Sequence, residues 1–372
     1  MNLARSRSRT PSSTTLGATT CAAGMTIVGT SIAIAPSLEG YPVLAGQGWR
    51  YLLAGLILMA VLVARTPSPV PDRATVSPLR RIRAATATLT GVTLGTAIRL
   101  TAIAATGLAA FNWLLIEGTR HADPAFMAAV VGAAPLVLAL LGPLAGGHRI
   151  RLGTAAGSAV VVTGIVLVHG ATAAPLVAWP YAIAFLACEA AFTLLAVPVL
   201  KELTPLQLST GTCLIAAPML AVVSVVTQES GLQAPTATEA LALLYMAVGT
   251  TAVAFLLWYS GVARLGADRA GLFIGVMPIS GYLAGVAIGS STWAIPALAG
   301  VLLCGAGIAL GLRQSPRHPA RSADCLKDPA HSTRGAPSPA ETLESTDSQR
   351  EEDRRDDERP DDRHQQRVLL DP

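Results

Sequence analysis

Residues 123–145 read DPAFMAAVVGAAPLVLALLGPLA. After Asp123 come 22 residues without an ionisable side chain. As a helix they extend about 33 Å at 1.5 Å per residue, enough to cross a hydrocarbon core about 30 Å thick. Gly132, Pro135 and Gly142 argue against a helix in water, but lipid tolerates them because each span must satisfy its own backbone. The stretch therefore predicts a membrane span, and its pattern occurs twice. Sliding the chain by an offset of 143 pairs Gly132 with Gly275, Pro135 with Pro278 and Gly142 with Gly285. The match runs outward to Gly118 with Gly261, Gly146 with Gly289, Gly157 with Gly300 and Gly164 with Gly307. Earlier in each half the offset becomes 163, pairing Glu39 with Glu202 and Pro42 with Pro205. The difference of 20 fits a longer loop at 65–98 in the first half.

The charge distribution points the same way. Residues 1–312 hold 16 basic and 9 acidic side chains, while residues 313–372 hold 11 and 14. A soluble domain carries roughly 25% charged residues, so a long apolar body is followed by a dense polyampholyte tail. An ordinary soluble enzyme, a collagen-like fibre and a disulfide scaffold are excluded. The net charge of +4 does not indicate nucleic acid, since the basic residues sit between apolar runs. Cys21, Cys188, Cys213 and Cys304 lie inside those runs and read as small apolar fillers, with Cys325 in the tail. No metal-ligand spacing is present, and neither metal nor cofactor is expected.

Ten segments are long and apolar enough to span: about 16–37, 43–64, 99–119, 123–145, 151–170, 178–200, 205–227, 240–262, 270–290 and 293–312. The first follows Arg5, Arg7 and Arg9, and Ala18-Thr19-Thr20-Cys21 lacks the features of a lipoprotein signal, so it reads as a retained span. With the N-terminus inside, fourteen basic residues fall in cytoplasmic segments and Arg120 alone falls outside, as the positive-inside rule requires. Both termini are then cytoplasmic. Trp179 and Trp293 fall at external helix ends. Five spans per half is an odd number, so the second copy enters the membrane from the opposite side. The fold class is thus an all-α membrane protein: ten transmembrane helices as two inverted five-helix repeats, with a disordered C-terminal tail. The domains read as a short N-terminus 1–15, repeats at 16–170 and 178–312, and a charged cytoplasmic tail at 313–372. A surface helix is expected within 84–98. Inverted repeats are a transporter architecture, with the binding site near the midplane between halves.

The stretch Gly48-Trp49-Arg50-Tyr51-Leu52-Leu53-Ala54-Gly55 resembles the second helix of EamA-type proteins in the drug/metabolite transporter superfamily. Phe111-Asn112-Trp113 through Gly118 to Pro135 resembles their third and fourth helices, and Ala252 to Pro278 repeats that pattern. The resemblance spans about residues 16–312. It implies a bacterial inner-membrane carrier, commonly an exporter of amino acids or related metabolites. Gly147-His148-Arg149 stands where the family often has Gly-Glu-Arg, so no role is carried over to a Glu there.

Ionisable groups inside a membrane are costly and need a reason. Glu189 lies at the centre of its span, on one helical face with Phe185, Phe192 and Thr193, and is the candidate proton- or substrate-coupling carboxylate. Arg50, near the centre of the second span, is expected to face the central cavity and to pair with Glu189 or Glu117. Glu117 also lies close enough to a helix end to snorkel to the interface. Asn112 and Trp113 could hold a substrate's polar and apolar ends, or simply pack helices. Trp258 and Tyr259 could line the cavity, but read more readily as an aromatic belt. Pro135 and Pro278 are candidate hinges. The Gly142/Gly146 and Gly285/Gly289 pairs have the spacing that lets helices approach closely. Asp123 and Asp268 suit helix starts.

These residues predict a secondary transporter that exports a small metabolite by alternating access, with proton exchange at Glu189. No P-loop is present, and no HExxH or GxSxG motif suggests an enzyme. The rival readings are a multidrug exporter for lipophilic cations and a non-transporting membrane partner or sensor. The expected partners are the lipid bilayer, a small-molecule substrate and protons; a homodimer is left open, and nucleic acid is not expected.

Overall fold

A computed structural model describes residues 12–38, 40–66, 77–145, 147–170, 174–227, 233–289 and 292–313. The tail beyond Arg313 lies outside the described residues. Among the described residues there is no strand. The chain runs through α1 (Ser13–Ile34), α2 (Val43–Arg65), α3 (Pro78–Thr90), α4 (Leu94–Thr119), α5 (Pro124–Ala145) and α6 (Leu152–His169). The second half holds α7 (Ala178–Val199), α8 (Pro205–Val226), α9 (Ala237–Leu265), α10 (Ala267–Ala287) and α11 (Ile295–Arg313). Nine of these, all but α1 and α3, are long and apolar enough to cross a membrane. In α1, eight of 22 residues are Ser or Thr. Its Thr19, Thr20, Thr26, Thr30 and Ser31 hydroxyls donate back to carbonyls three or four residues earlier, which hides their polarity within the helix. α1 packs along α9 and α10 and serves as the tenth rod.

Two boundaries differ from expectation. The surface helix is α3 at 78–90, not 84–98, and the third span starts at Leu94 rather than residue 99. The cause is local: Gly91 ends α3, and Thr93 caps α4 by accepting from the Thr96 amide. Arg99 thus lies inside α4, more than a turn from its start.

The packing repeats between halves. α1 lies on α9 and α10, as α7 lies on α4 and α5; α2 meets α9, as α8 meets α4. α2 with α8, α5 with α10, and α6 with α11 are counterpart pairs. The last pair is the tightest. A methyl group on Gly157 would stand 2.6 Å from the Gly311 Cα, and one on Gly164 would stand 2.7 Å from the Gly300 carbonyl oxygen. The matching positions Gly300 and Gly307 face the Gly164 and Gly157 carbonyl oxygens in return. The Cys304 thiol, 143 residues after Val161, donates to the Val161 carbonyl at 3.6 Å, so a pseudo-two-fold axis passes there. The closest approach between counterpart helices therefore falls at these glycines, while of the pairs singled out by spacing Gly142 also meets backbone, a methyl there standing 3.0 Å from the Asp268 amide nitrogen. Gly289 has nothing within 4 Å, and Gly146 lies outside the described residues.

The halves also share two irregularities. α4 is π-helical over Ala104–Ala110, and α9 over Met246–Val253; the offset that aligns the glycines superposes the two segments. α5 is interrupted by a turn at Gly132–Ala133, and α10 tightens to a 3-10 turn at Phe273–Gly275. In each case a proline, Pro135 or Pro278, follows by three positions and has no N–H to continue the ladder.

Call the end that carries the α5–α6, α7–α8 and α9–α10 turns the lower end, and the other the upper end. Cross-links respect this division. At the lower end Thr96 donates to the Glu202 carboxylate at 2.5 Å, and Arg151 lies 3.3 Å from Asp268. At the upper end Thr30 bonds Tyr245 at 2.5 Å, and the Tyr41 hydroxyl donates to the Gln233 carbonyl at 3.1 Å.

Candidate functional site

Polar side chains of the interior come from both halves. On α2, Gln47, Arg50 and Tyr51 occupy one turn, following i, i+3 and i+4. The Arg50 guanidinium donates through Nε to Thr251 Oγ1 at 2.6 Å and through Nη1 to Gln47 Oε1 at 3.0 Å. Its Nη2 points to the Thr250 carbonyl at 3.5 Å. Thr250 and Thr251 sit in the π-helical segment of α9, and both hydroxyls donate to the Met246 carbonyl. Such a bulge turns backbone and hydroxyl oxygens away from the regular ladder, which is what offers them to Arg50. On α4, just above the matching π-segment, Asn112 donates to the Tyr51 hydroxyl at 3.2 Å and to the Leu108 carbonyl at 2.6 Å.

Glu189 is half-buried at the middle of α7, within electrostatic reach of Tyr51 and Tyr259. The expected ion pair with Arg50 does not form. Glu117 meets Arg120 and lies 3.6 Å from the His121 imidazole, and Arg151 pairs with Asp268. Arg50 is held by neutral oxygens instead, because the π-segment of α9 presents them from the other half of the chain. Glu117 is removed from the interior: its carboxylate lies 3.1 Å from Arg120 at the upper end of α4. Below Glu189, Phe192 of α7 packs on Phe255 and Tyr259 of α9, with ring centroids 5.2 Å apart in both cases. This trio floors the polar region. Trp258 and Tyr259 are 2% and 0% exposed, so they form core and not a belt, since α9 continues to Leu265 and carries them below the surface.

The family model of the EamA-like transporter family matches residues 14–170 and again 177–313. The chain belongs to the EamA-like transporter family. It is 25% identical over 268 residues to the uncharacterized transporter YetK of Bacillus subtilis (strain 168), covering 70% of this chain and 75% of that one. A solved crystal structure matches with a TM-score of 0.66 at 19% identity, over 81% of this chain and 97% of the other, a likeness of fold.

Two fissures flank the polar region of this EamA-like transporter, at the matching α4–α8 and α2–α9 contacts. The first, about 1030 Å³, is lined by apolar side chains, including Trp113 of α4 and Leu214, Pro218, Met219 and Val222 of α8. The second, about 410 Å³, runs past Tyr41, Trp49 and Arg50. Asn112 and Trp113, adjacent in sequence, therefore serve different spaces: the amide is 6% exposed and faces Tyr51, whereas the indole, 37% exposed, borders the larger fissure. Pro135 and Pro278 stand at the matched breaks, both buried. Asp123 caps α5 by accepting from the Ala125 amide at 2.7 Å. Sequence reasoning missed Gln47, Tyr51, Thr250 and Thr251 as polar partners. Gln47 had a readable signal, a second polar residue three before Arg50 on an otherwise apolar helix. The threonines had none, for a π-segment has no compositional mark.

Proposed function

We propose that this transporter exports a small zwitterionic metabolite, an amino acid or a relative of one, across the bacterial inner membrane by alternating access, with proton exchange at Glu189. The observation that carries the reading is the unpaired state of Arg50 and Glu189. Arg50 is held by neutral oxygens and by the face of the Tyr51 ring, 5.2 Å away, and a half-buried cation without a counter-ion among the described residues favours an anionic guest. Glu189 offers the opposite charge from the other half of the molecule, with Tyr51 within electrostatic reach of both. A carboxylate at Arg50 and an ammonium at Glu189 satisfy the two together. Without a substrate, a proton neutralises Glu189 and avoids a bare charge in a low-dielectric interior.

The breaks before Pro135 and Pro278 supply matched hinges, and the Thr96–Glu202 and Arg151–Asp268 contacts hold the lower end shut. The concentration of basic residues at the lower end supports a cytoplasmic lower end, and with it cytoplasmic termini. The test is untargeted mass spectrometry of the medium from cells expressing wild type, Glu189→Gln or Arg50→Gln. An amine-bearing carboxylate that accumulates with wild type and with neither variant is the expected result. A wild-type profile equal to empty vector across metabolite classes overturns the exporter reading. The large apolar fissure favours a second reading, a lipophilic cation entering from the bilayer. In that case export survives Arg50→Gln and fails in Trp113→Ala.

A further inference from the structure

The two matched fissures differ in charge. No ionisable side chain lines the α4–α8 fissure, whereas Arg50 lines the α2–α9 fissure. The rest of the α2 wall there is apolar. Trp49, Leu53 and Leu56 follow one another at i, i+4 and i+7, the spacing of one helical face. They are 47%, 37% and 54% exposed, and Leu244 on the α9 wall is 46% exposed. Side chains this open on a span meet acyl chains of the surrounding hydrocarbon core. The fissure is thus a slot open to the bilayer with a cation set in its side. That cation has donors to spare. Arg50 Nη1 and Nη2 each carry two N–H bonds. Nη1 makes one contact, to Gln47 Oε1 at 3.0 Å, and Nη2 makes one long contact, to the Thr250 carbonyl at 3.5 Å. The Nε bond to Thr251 and the Tyr51 ring, 5.2 Å from Arg50 Cζ, hold the guanidinium in place. A carboxylate suits what remains, because its two oxygens can accept from two guanidinium nitrogens in parallel.

We propose that the α2–α9 fissure binds a single-chain lipophilic carboxylate, a medium-chain fatty acid taken from the upper leaflet, with its carboxylate on Arg50 and its chain along Leu53 and Leu56. The inference rests on the anion-binding reading of Arg50, but not on Glu189 or on export. The fissure begins at Tyr41 and Pro235, at the upper end, and reaches down to Leu56. Arg50 lies about 10 Å along the axis from Val43, where α2 starts, and Leu56 about 9 Å beyond Arg50. An acid of the upper leaflet has its head toward the surface and its tail toward the bilayer centre. Sliding down the slot, it brings its head to Arg50 while its tail stays beside the leucines. Size agrees as well. At about 30 Å³ per water-sized group, a volume of about 410 Å³ takes roughly a dozen heavy atoms, the size of a ten-carbon acid. An alcohol of equal length gains the same apolar wall but leaves the guanidinium without an anion, and a lipophilic cation is repelled. Charge therefore sets the choice of guest. Such an acid occupies the nitrogens that an exported carboxylate needs, so the two compete.

The test needs no transport. The full chain in lipid nanodiscs, at an alkaline pH that keeps the acid ionised, is photolabelled with decanoic acid or decanol carrying a diazirine in the chain. Mass spectrometry then locates the label. The α2 segment with Leu53 and Leu56 is expected to take at least tenfold more label from the acid than from the alcohol, and excess plain decanoate is expected to displace it. The α8 segment with Met219 lines the charge-free fissure, so its labelling corrects for the different partition of the two probes into the bilayer. Arg50→Gln is expected to bring the acid down to the level of the alcohol. Leu53→Trp leaves Arg50 in place and fills the slot from a lipid-exposed position, and it is expected to remove the preference too. Equal corrected labelling of α2 by acid and alcohol in the wild type overturns the site, as does a preference that survives Arg50→Gln. A chain that exports no zwitterion still gives this reading, and a chain that exports one without the labelling preference loses only the fatty-acid site.

Discussion

Replacing Gly307 with alanine puts one methyl group 2.7 Å from the Gly157 carbonyl oxygen and 2.8 Å from the Val161 amide nitrogen. Ordinary contact begins near 3.4 Å, so α6 and α11 must separate by about 0.7 Å, and neither obstacle is a side chain that can swing aside. Overpacking of this kind costs about 1–3 kcal/mol. Two positions away on the same helix, Gly305 has nothing within 4 Å, and alanine there gains only its helix propensity, about 1 kcal/mol. Both variants share that gain, so their difference isolates the steric cost. Unfolding by sodium dodecyl sulfate in mixed micelles, followed by circular dichroism, is expected to place Gly307→Ala below Gly305→Ala by about 2 kcal/mol, the middle of the overpacking range. A gap smaller than about 0.5 kcal/mol, the size of an ordinary surface substitution, refutes the close α6–α11 contact. Additivity of Gly157→Ala with Gly307→Ala would argue against it too, because residues in contact couple.

Arg50→Lys keeps the charge but loses the forked donor that reaches Thr251 and Gln47 together; export measured in the medium is expected to fall at least tenfold with unchanged membrane abundance. Thr251→Val removes the acceptor of Arg50 Nε, and a hydrogen bond to a charged group contributes about 1.5–3 kcal/mol, so detergent stability falls by about that much. Glu202→Gln weakens the lower-end link to Thr96, and a maleimide is expected to label a cysteine placed at Leu100, buried one turn further along α4, several times faster. For orientation, a membrane-impermeant maleimide added to intact spheroplasts should label a cysteine at Gln233 and spare one at Arg149, both exposed sites; the reverse pattern inverts the topology.

The membrane fold was legible because its determinants are additive along the chain. Span length, charge sorting and the internal repeat each need only local composition, and the helices follow them closely. Glu189, Arg50 and Asn112 could be assigned to the interior for the same reason: depth follows from position in a span. Their partners could not. Whether Arg50 meets Glu189 or Thr251 depends on the rotation of α2 about its axis and on the π-segment of α9, and neither leaves a trace in hydropathy. Trp258 and Tyr259 failed differently. Aromatic residues near a helix end suit both a belt and a core, and the α9 helix runs past the apolar segment that set the expected end, to Leu265. Gly91 and Thr93, which stop α3 and start α4, are legible signals, outweighed at 84–98 by a continuous apolar composition.

The glycine seam of α6 and α11 also bears on synthesis. The partner of Gly157 is Gly307, and at roughly 5–20 residues per second the ribosome needs roughly 7–30 s to make the intervening chain. Throughout that interval α6 has a bare backbone strip facing lipid, with no counterpart to receive it. The nascent first half must wait in the bilayer with its seam open, where a stray small-residue helix can occupy the same groove. Chain order thus makes the last helix the closing piece, and truncation within α11 should leave α6 exposed to quality-control proteases even though every residue of the first half is intact.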